Sequence, residues 1–370
     1  MPTHAYVCSG ASGIGGEMGV VGVADRGAFL PGLHGLRGLL ALWVVTFHVN
    51  GNGFGALRVT SYGFVAVDAF FLMSGYLLMQ AHHADFVHVR APAAFDFLRR
   101  RFWRTYPLYF GILVLSAPMF PLLYGWVPGP ERILGGLALL EGWAVKGLSI
   151  NWPVWSLGVE WVGYLAFPLV AWVCIRLTAE QALVLAIGVL TAEAGYFALW
   201  QDLPMASQTA GVHAVLRMAG AFVAGCLLWR VHTHMGPLRP AYRRDDAAML
   251  LAVLGCTAVF WTASAWWCLP LLLVVVHLAA RPGPLTSRLL GSSLAQFFGR
   301  ISFALYLCHT PIKELVIWTG WFSTGVARPI GTVLIYAAAL GCATLLCLTI
   351  EEPMRRFGRK TGRPRLALAG

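Results

Sequence analysis

Long uninterrupted apolar runs recur along almost the whole chain, and they decide what it can fold into. A run of about 15–25 such residues can cross the hydrocarbon layer as a helix, in which every backbone N–H and C=O finds its partner within the segment. Ten such runs lie roughly at 36–50, 62–81, 107–125, 153–175, 180–199, 210–231, 247–263, 265–281, 299–320 and 329–350. They predict an all-α integral membrane protein, a bundle of about ten transmembrane helices. The stretch 247–281 is too long for one crossing and is divided at Thr262-Ala263-Ser264, whereas 131–145 is too short and is read as part of an outer loop. Composition agrees: 58% of the 370 residues are apolar and 12% charged, more apolar surface than a water-soluble domain can hide.

Orientation follows from Lys and Arg, which concentrate in cytoplasmic loops. With the N-terminus inside, about 20 of these charges fall in cytoplasmic segments, and only about 4 (Arg58, Arg132, Lys146, Arg328) fall outside. Both termini are therefore expected in the cytoplasm of a bacterial cell, with the chain in its inner membrane as a multi-pass protein. The net charge of +11 is explained by topology, so no nucleic-acid partner is needed. Residues 1–32 are Gly-rich and lack the basic start and cleavage site of a secretory signal. They are expected to be a disordered cytoplasmic extension, followed by a transmembrane domain at 33–356 and a basic cytoplasmic tail at 357–370.

Seven of the eight cysteines fall singly within apolar runs, without disulfide or metal-ligand spacing, and are read as small packing residues. Trp152, Trp155, Trp200, Trp229, Trp261 and Trp266 stand near the ends of runs, where an amphipathic ring suits the membrane interface. Core packing is an equally common use of such rings.

Ionisable groups inside the runs are the informative residues, because each costs about 2.5–3.5 kcal/mol at the bilayer centre. They are Arg37, His48, Asp68, Glu160, Glu193, His213, Arg217, His277, His309, Lys313 and Glu314. Arg217 is expected to pair with Glu193 or Glu314, and His277 to be a hydrogen-bonded core histidine. In the first run, LHGLRGLLALWVVTFHVNG, Arg37 and His48 stand eleven positions apart, about 20° in direction and about 16 Å in height on a helix. One face thus carries a cation near the cytoplasmic end and an imidazole near the outer end. A long ligand with an anionic head and a reactive tail fits between them, and acyl-coenzyme A has that shape.

The arginine, ten residues, histidine spacing in GLRGLLALWVVTFH resembles the signature of the membrane-bound acyltransferase 3 family. Further blocks are similar in order: DAFFLMSGYLL (68–78), RRRFWRTYPLY (99–109) with Arg101 and Arg104, NWPVWSLGVEWVGYLAFPL (151–169) with Trp155 and Glu160, ISFALYLCHTPI (301–312) with Tyr306 and His309, and IEEP (350–353). The resemblance covers about 36–356. Family members usually carry an aspartate where this chain has His34.

The resemblance implies an O-acyltransferase that takes an acyl group, expected to be acetyl, from cytoplasmic acyl-CoA to a hydroxyl of a glycan, lipid-linked sugar or macrolide-type acceptor outside. No permanently bound cofactor or metal is expected. His48 is the candidate general base or a transient acyl carrier. Asp68 and Glu160, at comparable depth, are candidates to orient its ring. Arg37, Arg101 and Arg104 are expected to clamp the coenzyme phosphates, with Ser74, Trp155, Tyr306 and His309 in support. The rival reading is a transporter or flippase for glycolipids or polysaccharide precursors, which also needs buried charge; against it, no inverted repeat is evident.

Overall fold

The computed structural model describes residues 29–50, 58–143, 150–200, 205–235, 242–320 and 327–360. The glycine-rich residues 1–28, Lys146 and the tail beyond Lys360 lie outside them. All ten apolar runs form helix, and no β-strand occurs among the described residues. In chain order the helices are α1 (Pro31–Asn50), α2 (Ala66–His82), α3 (Ala91–Ser116), α4 (Met119–Tyr124), α5 (Pro130–Leu137), α6 (Trp155–Arg176), α7 (Ala179–Leu199), α8 (Met205–Gln208), α9 (Gly211–His234), α10 (Arg243–Thr262), α11 (Leu269–Ala280), α12 (Pro284–Leu290), α13 (Ser293–Trp318), α14 (Ala327–Leu346) and α15 (Glu352–Lys360). A π-helical turn, Cys347–Glu351, leads into α15.

Among the described residues, seven stretches are long and apolar enough to cross a membrane: Pro31–Val49, Val59–Phe86, Trp152–Arg176, Ala179–Leu199, Gly211–His234, Arg243–Thr262 and Pro329–Lys360. The segment Ala265–Ala280 with Pro284–Leu290 makes an eighth if taken as one span, bent by 87°. Two further runs share their helices with charge, which breaks the apolar stretch. Arg99, Arg100, Arg101 and Arg104 occupy the first half of α3, while Arg300, Lys313 and Glu314 lie in α13. The division expected at Thr262-Ala263-Ser264 is present, since α10 stops at Thr262 and Ala263 is extended. The described part of 131–145, residues 131–143, holds most of the short α5 and a turn.

Small residues set two close helix approaches, as is usual where helices meet in lipid. A Cβ on Gly38 or Gly299 would enter the backbone of the facing helix, so α1 and α13 touch directly. Gly75 and Gly225 do the same for α2 and α9. Ten residues beyond each glycine of the first pair stand His48 and His309, which also meet. Equal steps along both helices mean that α1 and α13 run in the same direction. By the same reasoning α2 and α9 are parallel, because Asp68 meets Arg217 and Tyr76 meets His232 further along both.

Candidate active site

The parallel crossing of α1 and α13 holds two imidazoles together. His309 Nδ1 lies 2.8 Å from the Tyr306 carbonyl oxygen and 3.1 Å from that of Leu305. A ring nitrogen facing carbonyl oxygens must carry the hydrogen, so Nδ1 donates and Nε2 is left with a bare lone pair. His48 Nδ1 lies 2.9 Å from the Val44 carbonyl oxygen and 3.2 Å from His309 Nε2. It donates to both acceptors. In the neutral ring this network puts the hydrogen of half-buried His48 on Nδ1 and leaves Nε2 with the lone pair that a general base requires.

Pro311 contributes to this arrangement by what it lacks. It has no N–H to give to the Leu307 carbonyl, four residues earlier, and the freed oxygen accepts from Asn151 Nδ2 at 2.7 Å. Asn151 thereby ties the entry of α6 to α13 beside His309.

A cavity of about 680 Å³ lies between α1, α2, α3, α6, α13 and α15. Its lining includes Arg37, Arg101, Arg104, Arg355 and Arg359, together with Ser74, Glu160, Ser156 and Tyr306. Among the described residues none of those five arginines is in an ion pair, whereas Arg300, also in the lining, is held by Glu352 at 2.6 Å. The Nε atoms of Arg101 and Arg355 are buried without an acceptor among the described residues. Orphaned guanidinium donors around an open volume fit a polyanion. At the other end, the Tyr306 hydroxyl donates to the Pro153 carbonyl and accepts from Ser156 Oγ, both at 2.7 Å. The cavity ends at this knot, one helical turn before His309.

The structure thus brings Arg37, Arg101, Arg104, Ser74, Glu160 and Tyr306 to one cavity, and His48 and His309 together just beyond it. Neither acidic candidate is paired with His48. Glu160 accepts from Ser74 Oγ at 2.6 Å within the cavity. Asp68 accepts two bonds from Arg217, at 2.7 and 3.1 Å, in a pair with no exposure at all. Asp68, and not Glu193 or Glu314, is the partner of Arg217. The guanidinium also sits 5.0 Å from the Trp155 ring centre and 4.7 Å from that of Trp266, a cation–π arrangement. Trp155, Trp229 and Trp266 are accordingly buried, while Trp152, Trp200 and Trp261 remain exposed as interface rings would be.

Some residues in and near this region carry little signal in the sequence. Arg355 and Arg359, which line the cavity, stand among basic residues that membrane orientation already explains; their spacing of four on one helix is the available signal. Glu141 had no signal, standing in a loop of ordinary composition. It is buried, and its carboxylate accepts from Ile150 N–H and the Tyr109 hydroxyl, both at 3.3 Å. Its own carbonyl abuts Gly158 of α6, leaving no space for a Cβ. Gly142, with φ +88°, carries the chain past Trp155. Burial pushes the Glu141 carboxyl up to about 7.

Comparison with known proteins gives a consistent picture. A family model described as "Acyltransferase domain" (Acyl_transf_3) matches residues 30–352. The chain is 28% identical over 370 aligned residues to the acyltransferase MdmB of Streptomyces mycarofaciens, covering 90% of this chain and 93% of that protein. It is 26% identical over 159 residues to the O-acetyltransferase OatA of Staphylococcus aureus, covering 38% of this chain and 24% of that protein. No solved structure matches.

Proposed function

Since the chain belongs to the acyltransferase 3 family and is a multi-pass O-acyltransferase, we propose that it moves an acyl group from cytoplasmic acyl-CoA to an acceptor hydroxyl at the outer side of a bacterial inner membrane. Acetyl is the acyl group we favour, and the acceptor class is a glycan, a lipid-linked sugar or a macrolide-type molecule. One observation carries the donor: five arginines outside any ion pair among the described residues, outnumbering the Glu160 and Glu351 carboxylates beside them, line a cavity that ends one helical turn from the His48–His309 pair. Coenzyme phosphates would supply the missing acceptors, and the pantetheine arm would run toward Tyr306.

In the reaction, His48 Nε2 takes the proton of the acceptor hydroxyl as its oxygen attacks the thioester carbon. The C–S bond breaks, and the imidazolium returns the proton to the departing sulfur. His309, neutral and accepting through Nε2, holds the His48 N–H in place while the positive charge develops. Movement of the Tyr306–Ser156 knot would join the cavity to this pair.

The two parallel pairs support ten crossings with both termini inside. In that plan α1 and α13 are both outward-going spans and α2 and α9 both inward-going, which agrees with the members of each pair running in one direction. It also puts Arg37, Arg101, Arg104, Arg355 and Arg359 at the cytoplasmic end, where the donor is found. The test is whether purified protein in lipid vesicles transfers radiolabelled acetyl from acetyl-CoA to candidate acceptors. Label transfer with release of free coenzyme A is expected; no consumption of acetyl-CoA with any acceptor class would overturn the donor.

A further inference from the structure

The last helix, α15, follows the π-helical turn Cys347–Glu351. Such a turn inserts an extra residue into a helix and often marks a functional site. Beyond it, Glu352 holds Arg300 at 2.6 Å and Arg356 at 3.4 Å, so both of those arginines are paired. Arg355 and Arg359 are not, and they stand four residues apart on one helical face, which lines the cavity. The helix is seated so that this face stays there. Gly358 lies against the Cβ of Trp103 with no space for a side chain, and the Phe357 ring meets the Trp103 ring at 4.8 Å.

Resting on the acyl-CoA donor read above, we infer that Arg355 and Arg359 form the outermost part of the donor site and bind the ribose 3′-phosphate of coenzyme A. The order of groups along the cavity carries the assignment. Tyr306 and Ser156 mark the inner end, where the thioester must arrive. Arg37, Arg101 and Arg104 come from α1 and α3 and are all partly buried. Arg355 is partly buried with an orphaned Nε, and Arg359 is exposed at the mouth. An extended acyl-CoA with its thioester inside places its pyrophosphate on the first group. Its remaining phosphate, on the ribose, then falls to the arginines nearest the solvent. Arg355 is the stronger contact, because its buried donor has no other acceptor among the described residues.

The experiment compares kcat/KM for acetyl-CoA and for acetyl-dephospho-CoA, which lacks only that phosphate, in wild type, Arg355→Ala, Arg359→Ala, Arg355→Lys and Lys360→Ala. Wild type should prefer acetyl-CoA by roughly tenfold or more, the size of a lost charge-assisted contact. Arg355→Ala should abolish most of the preference, Arg359→Ala part of it, and Arg355→Lys should keep a portion. Lys360→Ala, exposed on the same helix and outside the cavity, should keep all of it. Because each ratio is taken on one preparation, loss of folded protein cancels. Equal use of the two donors by wild type, or an unchanged preference in both alanine variants, would overturn the inference and leave the donor intact. Failure of wild type to use either compound would instead overturn the donor reading on which the inference rests.

Discussion

His309 Nε2 lies 3.2 Å from His48 Nδ1, with the ring centres 4.9 Å apart, so the group orienting the candidate base is a second imidazole. A neutral partner holds the ring and its tautomer but stabilises the imidazolium less than a carboxylate does. His309→Ala should therefore lower kcat by roughly tenfold or more, short of the roughly 10²–10⁴ expected for loss of the base itself. The KM for acyl-CoA should change little. An unaltered kcat and pH profile in this variant would remove His309 from the account.

Asp68 has a structural task that can be separated from catalysis. Its partner Arg217 is wholly buried beside two tryptophans, and removing one member of such a pair leaves a charge in the interior at a cost of roughly 3–5 kcal/mol. Asp68→Asn and Arg217→Met should each lower the melting temperature sharply. The double variant Asp68→Leu with Arg217→Met should recover most of the loss, together with activity. Recovery of stability without activity would return Asp68 to the candidate catalytic set.

On the donor proposed above, the arginines of α1 and α3 would hold the phosphates before and during the reaction alike, which is uniform binding. Arg101→Ala or Arg104→Ala should raise the KM for acyl-CoA with less effect on kcat. Lys should rescue in part, because it keeps the charge and loses the planar fork. A donor KM that stays at the wild-type value would reduce both residues to topological charges.

These expectations show where sequence was enough and where it was not. The Arg37–His48 relationship needed only the pitch of a single helix, whereas the arginines of α3 were singled out by the resemblance of RRRFWRTYPLY to the family's block. The partner of His48 was different in kind. Depth along a helix can be counted from its ends, but rotation about its axis is set by neighbours that no single run reveals. Asp68 and Glu160 read alike in depth, yet α2 turns Asp68 toward Arg217, and Glu160 accepts from Ser74, six residues further along α2. Likewise Trp155 and Trp152, three residues apart, read alike until Arg217 is seen beside the first. Arg355 and Arg359 were hidden among charges that membrane orientation already explained.

Glu141 makes a pH dependence that can be measured apart from turnover. Its carboxyl, pushed up by burial to about 7 from an ordinary 4.5, keeps its proton in the folded state over a range where the unfolded chain has released it. Stability should therefore fall as pH rises from about 4.5 to about 7 and level off above, by at most roughly 3 kcal/mol. Thermal unfolding in detergent at pH 5 to 8 checks this, with Glu141→Gln as reference. A difference between the two proteins that does not change with pH would contradict the assignment.

The most direct test of the account concerns His48, through which the donor cavity and the acceptor are proposed to meet. Acetyl transfer by His48→Ala should be measured in vesicles at saturating acetyl-CoA, beside wild type at equal amounts of inserted protein. The variant should insert and accumulate normally, bind acetyl-CoA with nearly unchanged affinity, and lose roughly 10²–10⁴ in rate. A variant that keeps more than about a tenth of wild-type turnover, well above that range, would show that His48 is a packing residue and that the acceptor hydroxyl is activated elsewhere.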